Sequence, residues 1–399
     1  MKTQKLLFFL VLVSLMSAAT AQSQDSLWQR TYKLFIYNQY DLRNSSTNFI
    51  TAHRVLNDAF RKNIKSKMGE KLGNISYGIF SFSTTYLAML WSHEMGHALR
   101  AQQVDGYFKF HDAGLPIPYT TMHLPNDIVL QDEALSVTAG FEVNYLNVRS
   151  IQQEFISQNG IYNEDLGLSF ANRLMYPLYT SVIVPIDTTD TSVWIETAGD
   201  PVHVALPVFK KYANGQVFMT DGSVNPKLVD YYNQAALFGA FFNLLDPQFY
   251  REAGETFGKD KVRRPIFIIG NHTTGWTYGT LFNVSPLGYE LYMNNYLHVH
   301  GNQFAIYLKY GNPFKNNGLG IRWNNFIHKK NIQATVNLDL WDQDLYGTGL
   351  AADVAINRNL FGRWGTSVAV GYKTEGYVLG KQLNEGFNLG IGITYQAYY

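Results

Sequence analysis

The stretch Ile332-Gln333-Ala334-Thr335-Val336-Asn337-Leu338-Asp339-Leu340-Trp341 decides the fold of the C-terminal part of this chain, because apolar residues alternate through it with a mostly polar set. A period of two puts Ile332, Ala334, Val336, Leu338 and Leu340 on one face of a strand and Gln333, Thr335, Asn337, Asp339 and Trp341 on the other. Leu350, Ala352, Val354 and Ile356 repeat the pattern. Turn signals such as Gly311-Asn312-Pro313, Asn316-Asn317-Gly318 and Gly347-Thr348-Gly349 separate such runs. From residue 289 onward, roughly six or seven antiparallel strands are expected.

The chain finishes on one of them. Leu389, Ile391, Ile393, Tyr395, Ala397 and Tyr399 share a face, and Gly390, Gly392, Thr394 and Gln396 share the other. This segment, with its terminal aromatic residue, resembles the C-terminal signal strand by which outer-membrane β-barrel proteins are recognised for insertion. Composition agrees: 27 Tyr, 26 Phe and 33 Gly against only 16% charged residues fit aromatic girdles and a small-residue barrel interior better than an ordinary soluble surface.

At the other end, Lys2 and Lys5 precede the apolar run from Leu6 to Met16 and the small-residue site Ala19-Thr20-Ala21. Residues 1–21 are therefore expected to be a secretory signal peptide, placing the mature protein in the cell envelope. The formal net charge is +1, and loss of Lys2 and Lys5 leaves acids and bases nearly balanced, which gives no footprint for nucleic acid. With no cysteine at all, disulfide scaffolds, thiolate metal sites and a cysteine nucleophile are excluded.

The chemistry lies in His93-Glu94-Met95-Gly96-His97. On a helix, positions i and i+4 share a face, so both imidazoles reach one metal ion while Glu94 stands beside the remaining coordination position. Neutral imidazoles bind Zn²⁺ without cancelling its charge, and a carboxylate within hydrogen-bond reach takes the proton of a water. The uncharged flanks Leu87 to Ser92 and Ala98-Leu99 predict a buried helix. Upstream, Leu72 to Ser92 carries no charge, is long enough to span a bilayer but rich in Ser and Thr, and offers Gly73 and Gly78 as breaks. Before it, Leu56, Phe60, Ile64 and Met68 recur every four residues, predicting an amphipathic basic helix from Arg54 to Lys71.

The run His93 to Ala101 resembles the active-site helix of zincin metallopeptidases, and H-E-x-G-H-A-L followed by Ala is similar to the site-2 protease branch, whose catalytic helix lies in a membrane. The resemblance implies a zinc-dependent hydrolase with Zn²⁺ as cofactor, His93 and His97 as ligands, Glu94 as catalytic base, and an edge strand after Ala101 that pairs with an extended peptide or protein substrate. His111 and His123 fall in that region. A third ligand must come from elsewhere. A second helix is expected over Gln131 to Gln152, where Ala139 and Gly140 allow close approach, and Glu142 is the first choice, with Asn144 available to orient a ligand. Glu133 stands behind it. By the site-2 comparison Asp246, at the end of the apolar stretch Ala235 to Leu245, is the rival, although Pro247 stands where that family has Gly.

The expected architecture is α+β: a helical zincin-like region over 22–288, then an antiparallel β meander or barrel-like sheet over 289–399 that seats the protein in a membrane, most naturally the outer one. The alternatives are an outer-membrane β-barrel or binding protein with a structural or degenerate H-E-x-x-H site, and the same zinc chemistry directed at amides in lipids or cell-wall peptides.

Overall fold

The computed structural model describes residues 29–38, 41–112, 118–180, 200–255, 262–300, 302–329 and 331–398. The leader expected at 1–21 lies outside them, as do residues 181–199. Strand β1 (Gln29–Asn38) precedes helices α1 (Leu42–Asn63) and α2 (Glu70–Gln103), then the hairpin β2 (Tyr107–Asp112) and β3 (Pro118–His123). Helix α3 (Leu130–Ser157), the short β4 (Ile161–Tyr162) and α4 (Asn163–Leu178) follow, then α5 (Asp200–Tyr212), α6 (Pro226–Leu245) and α7 (Pro247–Glu255). After β5 (Val262–Arg263) and β6 (Ile269–Gly270) come β7 (Thr274–Ser285), β8 (Gly288–Val299), β9 (Asn302–Pro313), β10 (Asn316–Lys329), β11 (Ile332–Gln343), β12 (Gly347–Phe361), β13 (Trp364–Lys373) and β14 (Gly386–Tyr398).

Ten strands form one antiparallel sheet in the order β1-β14-β13-β12-β11-β10-β9-β8-β7-β6. The strands expected after residue 289 are present, joined by short turns except between β13 and β14, where residues 374–385 form a longer connection. The boundary expected there falls inside the β7–β8 hairpin, and β1 from the N-terminal side pairs with the last strand, Tyr32 opposite Tyr395. The sheet is not closed: β1 and β6 are its edges.

Along much of the sheet, apolar side chains lie on the exposed face and polar ones on the buried face. Leu340, Val370, Ile391 and Ile393 are exposed, while Glu290, Lys309, Asp339 and Lys373 are buried. The inward polar groups satisfy one another, as in the Lys309–Glu290 ion pair at 3.1 Å and the Tyr307 hydroxyl donating to Asp339 at 2.6 Å. This is the apolar-out, polar-in alternation of a β-barrel wall.

Helix α3 fills the inside. Every residue from Ala134 to Val148 is buried, against α1, α2, α4, α5 and β7. Helix α2 runs unbroken through Gly73 and Gly78. The amphipathic helix expected over Arg54 to Lys71 does not form as one piece, because α1 ends at Asn63, a 3₁₀ turn follows, and α2 starts after Gly69. Arg54, expected at the start of that helix, is buried against Asp165 at 2.9 Å. No helix among the described residues is long and apolar enough to cross a membrane alone.

Candidate metal centre

Helices α2 and α3 cross where both chains carry small residues. A Cβ on Gly96 would stand 2.4 Å from the Ala139 carbonyl oxygen, so glycine is needed for the two backbones to come this close. That approach turns His93 and His97, one helical turn apart, onto α3, and both are buried.

The hydrogen bonds at the outer nitrogens fix the tautomers. His97 Nδ1 lies 3.0 Å from the Ser136 carbonyl oxygen, which only accepts, so Nδ1 carries the proton. His93 Nδ1 lies 2.7 Å from Asn144 Oδ1. The amide of Asn144 is oriented by its own neighbours: its Nδ2 donates to Asn172 Oδ1 at 2.7 Å and to the Met89 carbonyl at 3.3 Å, leaving Oδ1 to accept from His93. Asn172 is held in turn by donating to Leu168 O at 2.7 Å.

Both Nε2 lone pairs therefore point at one spot, and the two atoms are 3.2 Å apart. Two lone pairs at that distance repel unless a positive species lies between them, either a shared proton or a metal cation. A tetrahedral zinc with Zn–N bonds of about 2.0–2.1 Å holds two nitrogens about 3.3–3.4 Å apart. The facing side of α3 leaves room: a Cβ on Gly140 would lie 2.5 Å from both Nε2 atoms, so glycine keeps open the position where a metal would sit. The donor chemistry, the spacing and this cradle suit two of the three protein ligands that a catalytic zinc takes.

Glu94 is buried on the same turn. Its backbone carbonyl accepts from Thr120 Oγ1 of β3 at 3.5 Å, so the β2–β3 hairpin lies along the helix that carries it. His111 and His123 do not turn toward the pair; each stacks on the tyrosine opposite it in the hairpin, His123 on Tyr107 at 4.3 Å and His111 on Tyr119 at 4.7 Å between centroids.

The carboxylate expected to complete the site is committed elsewhere. Glu142 is fully buried and receives Arg100 Nη2 at 3.0 Å and the Gly380 N–H at 2.6 Å. Two residues along a helix is about 200° of rotation, so with Gly140 against the imidazoles Glu142 faces away from them. Burial raises its carboxyl pKa, and Arg100 with the Gly380 N–H opposes that shift. Asp246 is also elsewhere: it stops α6, accepts from Arg173 at 2.8 Å and Gln152 at 2.7 Å, and caps the β7 backbone. Glu133 sits in the first turn of α3. Among the described residues, no third His, Asp or Glu joins the pair within reach of one ion.

Sequence reasoning did not find Ser136, whose backbone carbonyl leaves no residue signature, or the Arg100–Glu142 pair. The latter had a signal, because Arg100 directly follows the uncharged flank Ala98-Leu99 of a helix expected to be buried, and a buried guanidinium demands a counter-ion.

No protein-family model and no curated protein sequence matches the chain. Among solved structures, a design described as "De novo design of transmembrane beta-barrels" is similar over 27% of this chain and 82% of its own length, at 11% identity and a TM-score of 0.15.

Proposed function

We propose that this chain is a zinc-dependent hydrolase of the cell envelope, seated in the outer membrane by its sheet and cleaving peptide bonds. The observation that carries the reading is the convergence of the two Nε2 atoms, 3.2 Å apart, over a glycine. His93 and His97 would hold the ion, and Asn144 and the Ser136 carbonyl fix their rings, as partners outside the ligand shell do in metal sites generally. When bound, zinc supplies an electrophile that polarises a scissile carbonyl and acidifies a water. Glu94 accepts the proton of that water on its carboxylate and returns it to the leaving amine nitrogen. The hairpin along α2 offers an edge for an extended peptide, with main-chain hydrogen bonds supplying register.

A second reading is favoured by the position of Glu142. With that carboxylate given to Arg100, the His pair would be a structural or degenerate site, bridged by a proton, in a barrel-like membrane protein. Metal content separates the two. Detergent-extracted protein, supplied with zinc and then freed of excess, is expected to hold about one zinc per chain, lost in His97→Ala. Glu94→Gln is expected to keep the zinc and abolish peptide hydrolysis. Zinc-free wild type under these conditions selects the second reading, and retained hydrolysis in Glu94→Gln removes that residue from the chemistry.

A further inference from the structure

An open sheet cannot stand in a bilayer, because the backbone N–H and C=O groups of its edge strands would face hydrocarbon unpaired. Here both edges are closed by helix side chains. On β1, Thr51 Oγ1 of α1 accepts from Lys33 N at 3.1 Å and donates to Lys33 O at 2.7 Å, and Asn48 takes Phe35 N at 2.7 Å and gives to Phe35 O at 3.0 Å. Two side chains thus imitate a neighbouring strand. On β7, beyond the short β6, Thr280 N donates to Asp246 at 3.1 Å and Thr280 O accepts from Arg173 at 3.0 Å. Asp246 and Arg173 stand at the end of α6 and in α4.

Between those edges the helices form a continuous path: β1 packs on α1, α1 on α2, α2 on α4, α4 on α6, and α6 on β7. Along it, α2 and the second half of α6 repeat the apolar-out, polar-in pattern of the strands. Leu72, Ile75, Ile79, Phe82 and Tyr86, spaced three and four apart, make one exposed stripe on α2. The opposite side buries Thr84 and Thr85, which meet Asn57 at 3.0 Å and His53 at 3.2 Å on α1. On the second half of α6 the exposed large apolar residues are Leu237, Phe241, Leu244 and Leu245, and Asn243 turns in to donate to Arg173 O at 3.1 Å, whereas the first half exposes Lys227, Asp230, Asn233 and Gln234. Ile79 is 65% exposed and Leu237 66%, more than Ile356 of the sheet at 44%.

We infer that α2 and α6 stand in the barrel wall in place of strands, with their apolar stripes against lipid acyl chains, so that the chain is a hybrid barrel of strands and helices. The inference rests on the membrane reading proposed above. Dimensions agree: the uncharged part of α2, Leu72 to Ser92, is about 31 Å long, against a hydrocarbon core of about 30 Å. A helix with a polar, buried half also has too low a mean hydropathy to register as a span, which reconciles this wall with the absence of an apolar transmembrane helix among the described residues. The consequence is that the helix bearing His93 and His97 is itself a lipid-facing element, with its metal-ligand pair turned inward.

The test uses the full chain in liposomes of phosphatidylethanolamine and phosphatidylglycerol, and single cysteines are unambiguous because the sequence has none. Nitroxides at Ile79→Cys and Phe241→Cys are compared with Ile391→Cys on the sheet and Lys62→Cys at the exposed end of α1, by collision with oxygen and with a water-soluble nickel chelate. The expected result is that 79 and 241 match 391, favouring oxygen by several-fold over the position at 62. If 79 and 241 behave like 62 while 391 favours oxygen, the helices are outside the wall and the inference fails although the sheet remains in the membrane. Labels at 79 and 241 immobilised and shielded from both reagents would show protein covering the stripe, which also overturns it. All sites accessible to nickel would remove the membrane reading itself.

Discussion

Gly140→Ala adds one methyl group at the point where the two imidazoles converge. The new Cβ would lie 2.5 Å from His93 Nε2, 2.5 Å from His97 Nε2 and 2.6 Å from His93 Cδ2. Contacts that short force movement, and neither ring can swing freely, because each is tied through Nδ1 to Asn144 or to Ser136. The space must come from separating α2 and α3, which the Gly96–Ala139 contact resists. Overpacking of this kind costs about 1–3 kcal/mol, and if the metal-bound state must pay it while the apo protein relaxes, zinc affinity falls by about ten- to a hundredfold. The assay is a competition titration of zinc against a chromophoric chelator on detergent-purified protein, with thermal unfolding of the apo form as a control for folding. Wild-type zinc affinity in a folded Gly140→Ala protein would refute the placement of the ion between the two Nε2 atoms.

Asn144→Ala, which frees the His93 ring, is expected to weaken zinc by about 10- to 100-fold while leaving one site per chain, read by the same titration. Glu142→Gln breaks the buried pair with Arg100 and is expected to destabilise the fold by about 3–5 kcal/mol in urea unfolding, yet the folded fraction should retain its zinc; loss of zinc with unchanged stability would restore Glu142 as a ligand. Thr51→Val removes both hydrogen bonds from Lys33 and is expected to cost about 1–3 kcal/mol, seen as a lower midpoint of thermal unfolding in detergent micelles. Chelation of zinc from the wild type should lower the unfolding temperature, and restoring zinc at about 100 times its Kd should return about 2.7 kcal/mol; no shift in either direction would mean that zinc does not bind the folded state.

The parts of the fold written in local periodicity were legible. Alternation over Ile332 to Trp341 and Leu389 to Gln396 gave the strands and assigned each residue to a face, and the structure places Asp339 and Thr394 inside and Leu340 and Ile393 outside. What local pattern does not contain is a pairing across the chain. Nothing in Gln29 to Asn38 announces that its partner is the last strand, since a β ladder is specified by both strands and by what closes behind them. The site shows the same division. The i, i+4 spacing and the small residues of α3 were readable, but Glu142 was chosen by type and position in sequence. Helical phase bears on that choice: with Gly140 against the imidazoles, a residue two positions on points the other way.

The Glu142 carboxylate has a physical role in its pair with Arg100. A buried ion pair is weak evidence for stability, because desolvation offsets most of the attraction, so its use is best sought in the geometry it selects. Arg100 lies one helical turn beyond His97, and Glu142 lies half a turn beyond Gly140, so the pair spans the same α2–α3 crossing as the imidazoles. Its remaining hydrogen bonds leave that crossing: Arg100 Nη2 donates to Lys381 O at 2.8 Å and Glu142 accepts from Gly380 N, both in the segment entering β14. Sliding α2 against α3 by one residue, about 1.5 Å, would separate the imidazoles from their glycine and break all four groups of the clamp together. The two helices can hold the Nε2 atoms 3.2 Å apart only in the register that also seats residues 380 and 381, and those are positioned by the strand that pairs with β1 and β13. The close approach of the two imidazoles is therefore assembled by completion of the sheet rather than by the H-E-x-x-H helix alone.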